Sequence, residues 1–206
     1  MAKGYTGCQT HGVEGSLMLH QRERRRFTVE EYLSLEDSSA SKSEFVQGEI
    51  YAMSGGSLEH NRLVRNLMGE LYLALKGRKC EVLPSDMRLY MRSHQVFTYP
   101  DLLVVCGKPR LLKHRRDTVT DATLIVEVLS PSTQDYDRSE KFRIYRSLPS
   151  FQEYLLVAQD AVGLEQHRRQ APGQWLMSEH TSLEQRVELT SINVSLSLQA
   201  VYAGVF

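Results

Sequence analysis

Apolar and polar positions change rhythm several times along the chain, and each rhythm predicts an element. Leu63, Val64, Leu67, Met68, Leu71, Tyr72 and Leu75 recur at three-to-four spacing, the signature of an amphipathic helix. Ser57 is placed to cap that helix and Gly77 to end it. Thr28 similarly caps a shorter helix over residues 29–35, with Glu30 and Glu31 beside the positive end of its dipole. Between the two, residues 44–53 read as a β-hairpin turning at Gln47-Gly48. Strands are expected over 80–91, 97–105 and 123–129, then a helix capped by Asp137 and stopped near 148 by Pro149. A strand at 153–157 follows. Residues 162–206 read as a β-meander, with Trp175 in one strand and Ile192, Val194, Leu196 and Leu198 alternating in the last. The order helix, three strands, helix, strand predicts an α/β fold, a mixed sheet core flanked by helices with added β-hairpins.

Residues 1–24 lack any such rhythm and are expected to be a disordered leader, with Met18 as an alternative start. That leaves residues 25–206 as one domain, long enough to bury a substantial core. No run approaches the roughly 18 apolar residues of a membrane helix, so no membrane partner is expected. Cys8, Cys80 and Cys106 stand far apart, odd in number and without a CxxC, which suits a reducing cytoplasm and argues against a disulfide framework or a structural zinc. The chain has 25 Lys and Arg against 25 Asp and Glu, whereas a dedicated duplex binder usually carries a basic excess. Basic surface must therefore be local: Arg22-Arg24-Arg25-Arg26 and Lys113-His114-Arg115-Arg116 are the candidates, and a solvated loop is the ordinary reading of both.

Two of the apolar strand runs each contain one carboxylate. Asp101 lies in Tyr99-Pro100-Asp101-Leu102-Leu103-Val104-Val105, and Glu127 in Leu124-Ile125-Val126-Glu127-Val128-Leu129. An unpaired buried carboxylate costs several kcal/mol or takes up a proton, so two on neighbouring strands imply a cation between them. Oxygen ligands of this kind suit Mg²⁺ or Mn²⁺. Backbone N–H groups around Asp101, or an arginine paired with Glu127, would satisfy the same residues without any metal. Lys141 shares a helical stripe with Ile144, Tyr145 and Leu148, which turns a charge towards the sheet. Either it serves a reaction or its stem covers apolar surface while the ammonium reaches water.

Pro-Asp on one strand, an acid on the next and a lysine nearby resemble the PD-(D/E)XK nuclease superfamily, and the wider pattern resembles the Uma-two family of restriction-endonuclease-like proteins. The stretches that carry the resemblance include Glu44-Phe45-Val46-Gln47-Gly48-Glu49-Ile50, Tyr99-Pro100-Asp101, Ile125-Val126-Glu127-Val128-Leu129-Ser130-Pro131-Ser132-Thr133 and Asp137-Arg138-Ser139-Glu140-Lys141. It spans about residue 27 to the C-terminus. The resemblance implies a restriction-endonuclease-like fold and Mg²⁺- or Mn²⁺-dependent cleavage of DNA. Asp101, Glu127 and Lys141 would be catalytic, and the metal would rest on Asp101, Glu127 and the Val128 carbonyl. One departure is plain: the superfamily lysine, two positions after Glu127, is replaced by Leu129, so Lys141 would supply the amine from the next helix.

Three further residues are candidate accessories. Glu44 opens the hairpin, where exposure is the ordinary expectation. His60 lies in the first turn of the long helix. Asp86 follows Pro84-Ser85, where turn chemistry competes with a metal-side role. Ser130 to Thr133, Asp135 and Asp137 read mainly as turn and capping residues. The alternative to a nuclease is a catalytically inactive nucleic-acid- or protein-binding regulator on the same scaffold, since fold alone does not carry function. A homodimer, with Trp175 or the C-terminal strands as its surface, would let one protein cut both strands of a duplex.

Overall fold

The computed structural model describes Met1 and residues 25–206, so the expected leader lies outside the described residues. Thr28 caps α1 (Val29–Ser38) with a reciprocal box, its hydroxyl taking the Glu31 N–H while the Glu31 carboxylate takes the Thr28 N–H. The hairpin forms as β1 (Ser43–Val46) and β2 (Glu49–Ala52), and its turn puts both Gln47 and Gly48 at positive φ. Ser57 caps α2 (Leu58–Leu75), which buries Leu63, Leu67, Leu71 and Leu75 along one face.

Two of the expected strands are each broken in the middle. The first splits into β3 (Cys80–Pro84) and β4 (Arg88–Met91), the second into β5 (Val96–Thr98) and β6 (Leu102–Cys106). The breaks fall at Pro84 to Met87 and at Tyr99-Pro100-Asp101, and at each the chain crosses from one sheet to another. Proline, with no N–H for a ladder, suits both crossings. β7 (Thr118–Val119) and β8 (Leu124–Leu129) follow. Next comes one continuous helical stretch: α3 (Gln134–Tyr136), a π-helical turn over Asp137–Lys141, and α4 (Phe142–Tyr145). Asp137 therefore lies inside the helix with α-region backbone and does not cap it.

β9 (Glu153–Ala158), β10 (Leu164–Ala171) and β11 (Gln174–His180) extend the larger sheet, whose order is β11-β10-β9-β8-β6-β3. β8 and β9 run parallel, and the other neighbours in that sheet are antiparallel. The smaller sheet is β2-β1-β5-β4-β7. β12 (Arg186–Leu189) and β13 (Val194–Ser197) form a two-stranded sheet of their own among the described residues. The expected final strand stops at Ser197, because Leu198 opens a closing helical turn, α5 (Leu198–Val201).

Strand alternation gives the larger sheet two different faces. Leu102, Val104, Leu124, Val126 and Val128 pack with α2, β12, β13 and α5. Leu103, Val105, Ile125 and Leu129 pack with Ile144, Tyr145 and Leu148 around α4. Glu127 belongs by alternation to this second face, opposite the helix that carries Lys141. A smaller aromatic core of Tyr32, Phe45, Tyr90 and Phe97 joins α1 to the smaller sheet.

One further expectation is corrected. Cys80 and Cys106 face each other in the β3–β6 register and form a disulfide, where sequence spacing argued against one. A separation of 26 residues hid an antiparallel pairing that places their Cα atoms 3.9 Å apart. Trp175 packs on its own chain, against Phe142, Phe151 and the Arg169 guanidinium, and remains partly exposed.

Candidate functional site

Asp101 immediately precedes β6, one step beyond the Leu102–Val126 register pair, which brings it level with Glu127 on β8. Its Oδ2 accepts the Val128 N–H at 2.7 Å, and its own N–H lies 3.4 Å from Glu127 Oε2. The two acids are thus neighbours, held in place by backbone groups of each other's strand. Glu127 is 4% exposed. Its Oε1 accepts the Tyr145 hydroxyl at 2.8 Å and the Lys141 ammonium at 3.2 Å.

Lys141 is buried, and its Nζ is also 3.2 Å from Glu44 Oε1 and 3.2 Å from Asp137 Oδ1. The inward face expected from Ile144, Tyr145 and Leu148 is the one it takes. Glu44, for which exposure was expected, is buried, because β1 is an inner strand between β2 and β5. There it accepts the Tyr99 N–H at 3.3 Å. His60 reaches Asp101 from the first turn of α2, with Nε2 3.3 Å from Oδ2. Asp86 goes elsewhere: it sits in the exposed turn between β3 and β4, ion-paired with Lys42, away from the cavity.

Sequence reasoning undervalued two participants. Asp137 was read as a cap although it stands four residues before Lys141, a spacing that lets acid and amine meet. Tyr145, four residues after Lys141, was visible only as part of an inward stripe. Its hydroxyl also lies 3.1 Å from Thr98 Oγ1.

The cavity above these groups has a volume of about 510 Å³. Glu44, Asp101, Glu127, Asp137 and Lys141 line it together with Val128, Tyr51 and Met53 at the end of the hairpin, and Ser130, Ser132, Thr133 and Tyr136. Four carboxylates here face one permanent cation. Burial pushes the Glu127 carboxyl up to about 8, against the pull of Lys141 and with the help of Asp137, Asp101 and Glu44. Burial works against the Lys141 charge, but Glu127, Glu44 and Asp137 outweigh it and hold its pKa well above the ordinary value. Hydrogen bonding to Asp101 raises the His60 pKa, with burial opposing.

The residues fit a hard divalent cation. The donors are oxygens, the acids outnumber the amine, and the buried Asp137 Oδ1 has an ion contact with Lys141 but no hydrogen bond of good geometry. Among the described residues no three acidic, histidine or cysteine side chains already surround one point as a closed metal cage. Asp101 and Glu127 would supply two oxygens, and Mg²⁺ characteristically completes its shell with water and phosphate.

Comparison with known proteins follows the same lines. Residues 29–200 match the family described as "Uma2: Putative restriction endonuclease". Two Synechocystis proteins are similar in sequence. One, sll1609, is 37% identical over 81% of this chain and 94% of its own length, and the other, slr1290, is 38% identical over 87% and 93%. In structure the chain resembles a "putative nuclease belonging to DUF820" from Anabaena variabilis, with a TM-score of 0.72 and 16% identity over 87% of this chain and 99% of that one. That likeness is one of fold. The family match spans most of the chain and runs through every residue of the acidic recess, and the chain belongs to the Uma2 family of restriction-endonuclease-like proteins.

Proposed function

We propose that the protein is a DNA endonuclease that hydrolyses phosphodiester bonds with the help of Mg²⁺ or Mn²⁺. The observation that carries this reading is the meeting of Asp101, Glu127 and Lys141 in one recess, from two strands and a helix. Asp101 and Glu127, with the Val128 carbonyl, would hold the cation. A divalent ion so bound supplies a Lewis acid for the phosphoryl oxygens and makes water a better nucleophile at neutral pH. Lys141 stabilises the negative charge that builds on the phosphate in the transition state. Glu44 and Asp137 keep its amine protonated, and His60 and the Val128 N–H fix the Asp101 carboxylate. Tyr145 orients Glu127 from beneath.

Nicking of supercoiled plasmid tests the proposal. We expect nicking that requires Mg²⁺ or Mn²⁺ and falls at least about a hundredfold in Asp101→Asn and Glu127→Gln, the scale of losing transition-state charge stabilisation. Calorimetric Mn²⁺ binding that is absent in the wild-type protein would overturn it. A homodimer is part of the proposal, since two sites could then act on two strands, and sedimentation showing only monomer would remove that part.

The second reading is a non-catalytic regulator, favoured by the balanced charge and by an amine already engaged with three carboxylates. Nucleic-acid or protein binding that survives Glu127→Gln in a protein with no nicking activity would select it.

A further inference from the structure

We propose that Gln159, with Ser130, Ser132 and Thr133, forms a neutral subsite of the recess that seats the phosphate next to the one that reacts. The proposal rests on the phosphodiester reading above and places the neighbouring phosphate of the same substrate. A nucleic-acid strand is negatively charged along its whole length, and Glu44, Asp101, Glu127 and Asp137 line one part of the cavity. A bound cation and Lys141 would answer the reacting phosphate there. Its neighbour must lie where no carboxylate faces it. The lining continues onto Ser57, Ser130, Ser132, Thr133 and Gln159, all uncharged. Strand topology brings these residues together. β8 and β9 run parallel, in register at Leu129 and Ala158, so Ser130 and Gln159 leave the sheet side by side at the carboxyl ends of the pair. Open sheets characteristically bind ligands beyond those ends. Ser130 stands three residues past Glu127, roughly 10 Å along the strand at ~3.3 Å per residue. That is too far for the same phosphate and within reach of the next.

The hydrogen bonds of this wall leave donors unspent. Ser57 Oγ accepts the His60 N–H at 3.1 Å as the cap of α2, and its own proton goes to Gln159 Oε1 at 3.1 Å. That contact orients the amide. Its oxygen is used, and its amino group has no partner among the described residues. Ser130 Oγ lies 3.1 Å from Ser132 Oγ and 2.9 Å from Thr133 Oγ1. Three hydroxyls that share two contacts keep at least one O–H to donate elsewhere. Gln159 and Ser130 are half-buried, and Ser132 and Thr133 are exposed, so a ligand entering the cavity can reach them. Amide and hydroxyl groups are among the donors that hold phosphate oxygens in nucleic-acid complexes and fix the register of the strand. A neutral donor also binds an anion without drawing the nearby carboxylates to itself, as an ammonium would.

Calorimetry with a thymidine dinucleotide tests this. The dinucleotide is titrated without a terminal phosphate, with a 5′-phosphate and with a 3′-phosphate, in Ca²⁺ so that no bond is cut. One of the two terminal phosphates should tighten binding to the wild-type protein about tenfold, the scale of hydrogen bonds to a charged group. Gln159→Glu keeps an acceptor for Ser57 but exchanges the donor for a like charge. It should cancel that gain while leaving the melting temperature unchanged, which a merely structural glutamine would not do. Ser132→Ala combined with Thr133→Val, in exposed side chains, should lower the gain as well. No gain from either terminal phosphate would overturn the proposal, as would a gain that survives intact in both variants. Titration of the wild-type protein with Mn²⁺ separates this failure from that of the nuclease reading. With Mn²⁺ bound, either of those results removes only the subsite, whereas no Mn²⁺ binding removes the reaction itself.

Discussion

Lys141 keeps its proton in a place where burial alone would remove it, because Glu44, Glu127 and Asp137 surround it. The converse holds for Glu127. Its folded-state pKa, raised to about 8 from an ordinary 4.5, means that the folded protein holds a proton there more tightly than the unfolded chain. The stabilisation from that proton is complete below about pH 4.5 and is lost as pH rises through about 8. We therefore expect the melting temperature of metal-free protein to fall between pH 6 and pH 9, and Glu127→Gln to flatten that slope. A wild-type profile that is flat over the interval would contradict this account of the cluster. Tyr145 bears on the same carboxylate. Tyr145→Phe leaves this buried carboxyl one donor short and should cost about 1–3 kcal/mol in urea unfolding. At this scale the sequence was informative wherever a charge interrupted an apolar pattern, as at Asp101, Glu127 and Lys141. It was misleading where burial depends on a distant neighbour. Glu44 reads as an exposed hairpin residue until β5 is placed beside β1.

Helices with caps and strong periodicity were legible as elements: α1, the β1–β2 hairpin and α2 stand where their patterns place them. The strand runs were legible only as apolar stretches. Nothing local distinguishes one long strand from two shorter ones in different sheets, and only Pro84 and Pro100 mark the crossings. The π-helical turn is hidden for a similar reason, since its extra residue changes the helix phase without changing composition. The disulfide belongs to the same class of long-range fact. It closes a 26-residue loop that spans both crossings between the sheets, for which loop-closure entropy gives roughly 3.5 kcal/mol. Urea unfolding with and without a phosphine reductant should differ by about that amount, and Cys106→Ser should abolish the difference. Equal stability in both conditions would mean that the bond constrains nothing in the unfolded chain.

For the whole molecule, neutrality has a consequence that can be measured directly. Each phosphate neutralised on duplex contributes about −0.9 to the slope of log affinity against log salt, and dedicated DNA-binding proteins reach large values. A chain with balanced charge, whose Arg115 is spent on Asp37 and Asp117 and whose Arg88 is spent on Asp117, has no net positive charge to commit. Salt titration of duplex binding should give a slope shallower than about −3. A steep slope would show that basic surface beyond the recess dominates. The basic segment at 113–116 illustrates why charge runs are poor guides to partners: Arg115 serves the fold, tying the loop to α1 through Asp37.

One small residue on an outer loop bears on the chemistry from behind. The Gly56 α-carbon lies so close to the His60 imidazole that an added methyl group would stand 2.6 Å from Nδ1, and that ring is the one braced against Asp101. Alanine at this solvent-facing position should therefore displace the imidazole and slacken the carboxylate it steadies. The loss would appear as weaker Mn²⁺ affinity with little change in melting temperature. A surface loop whose sequence looks free to drift is in this respect as constrained as the floor it overhangs.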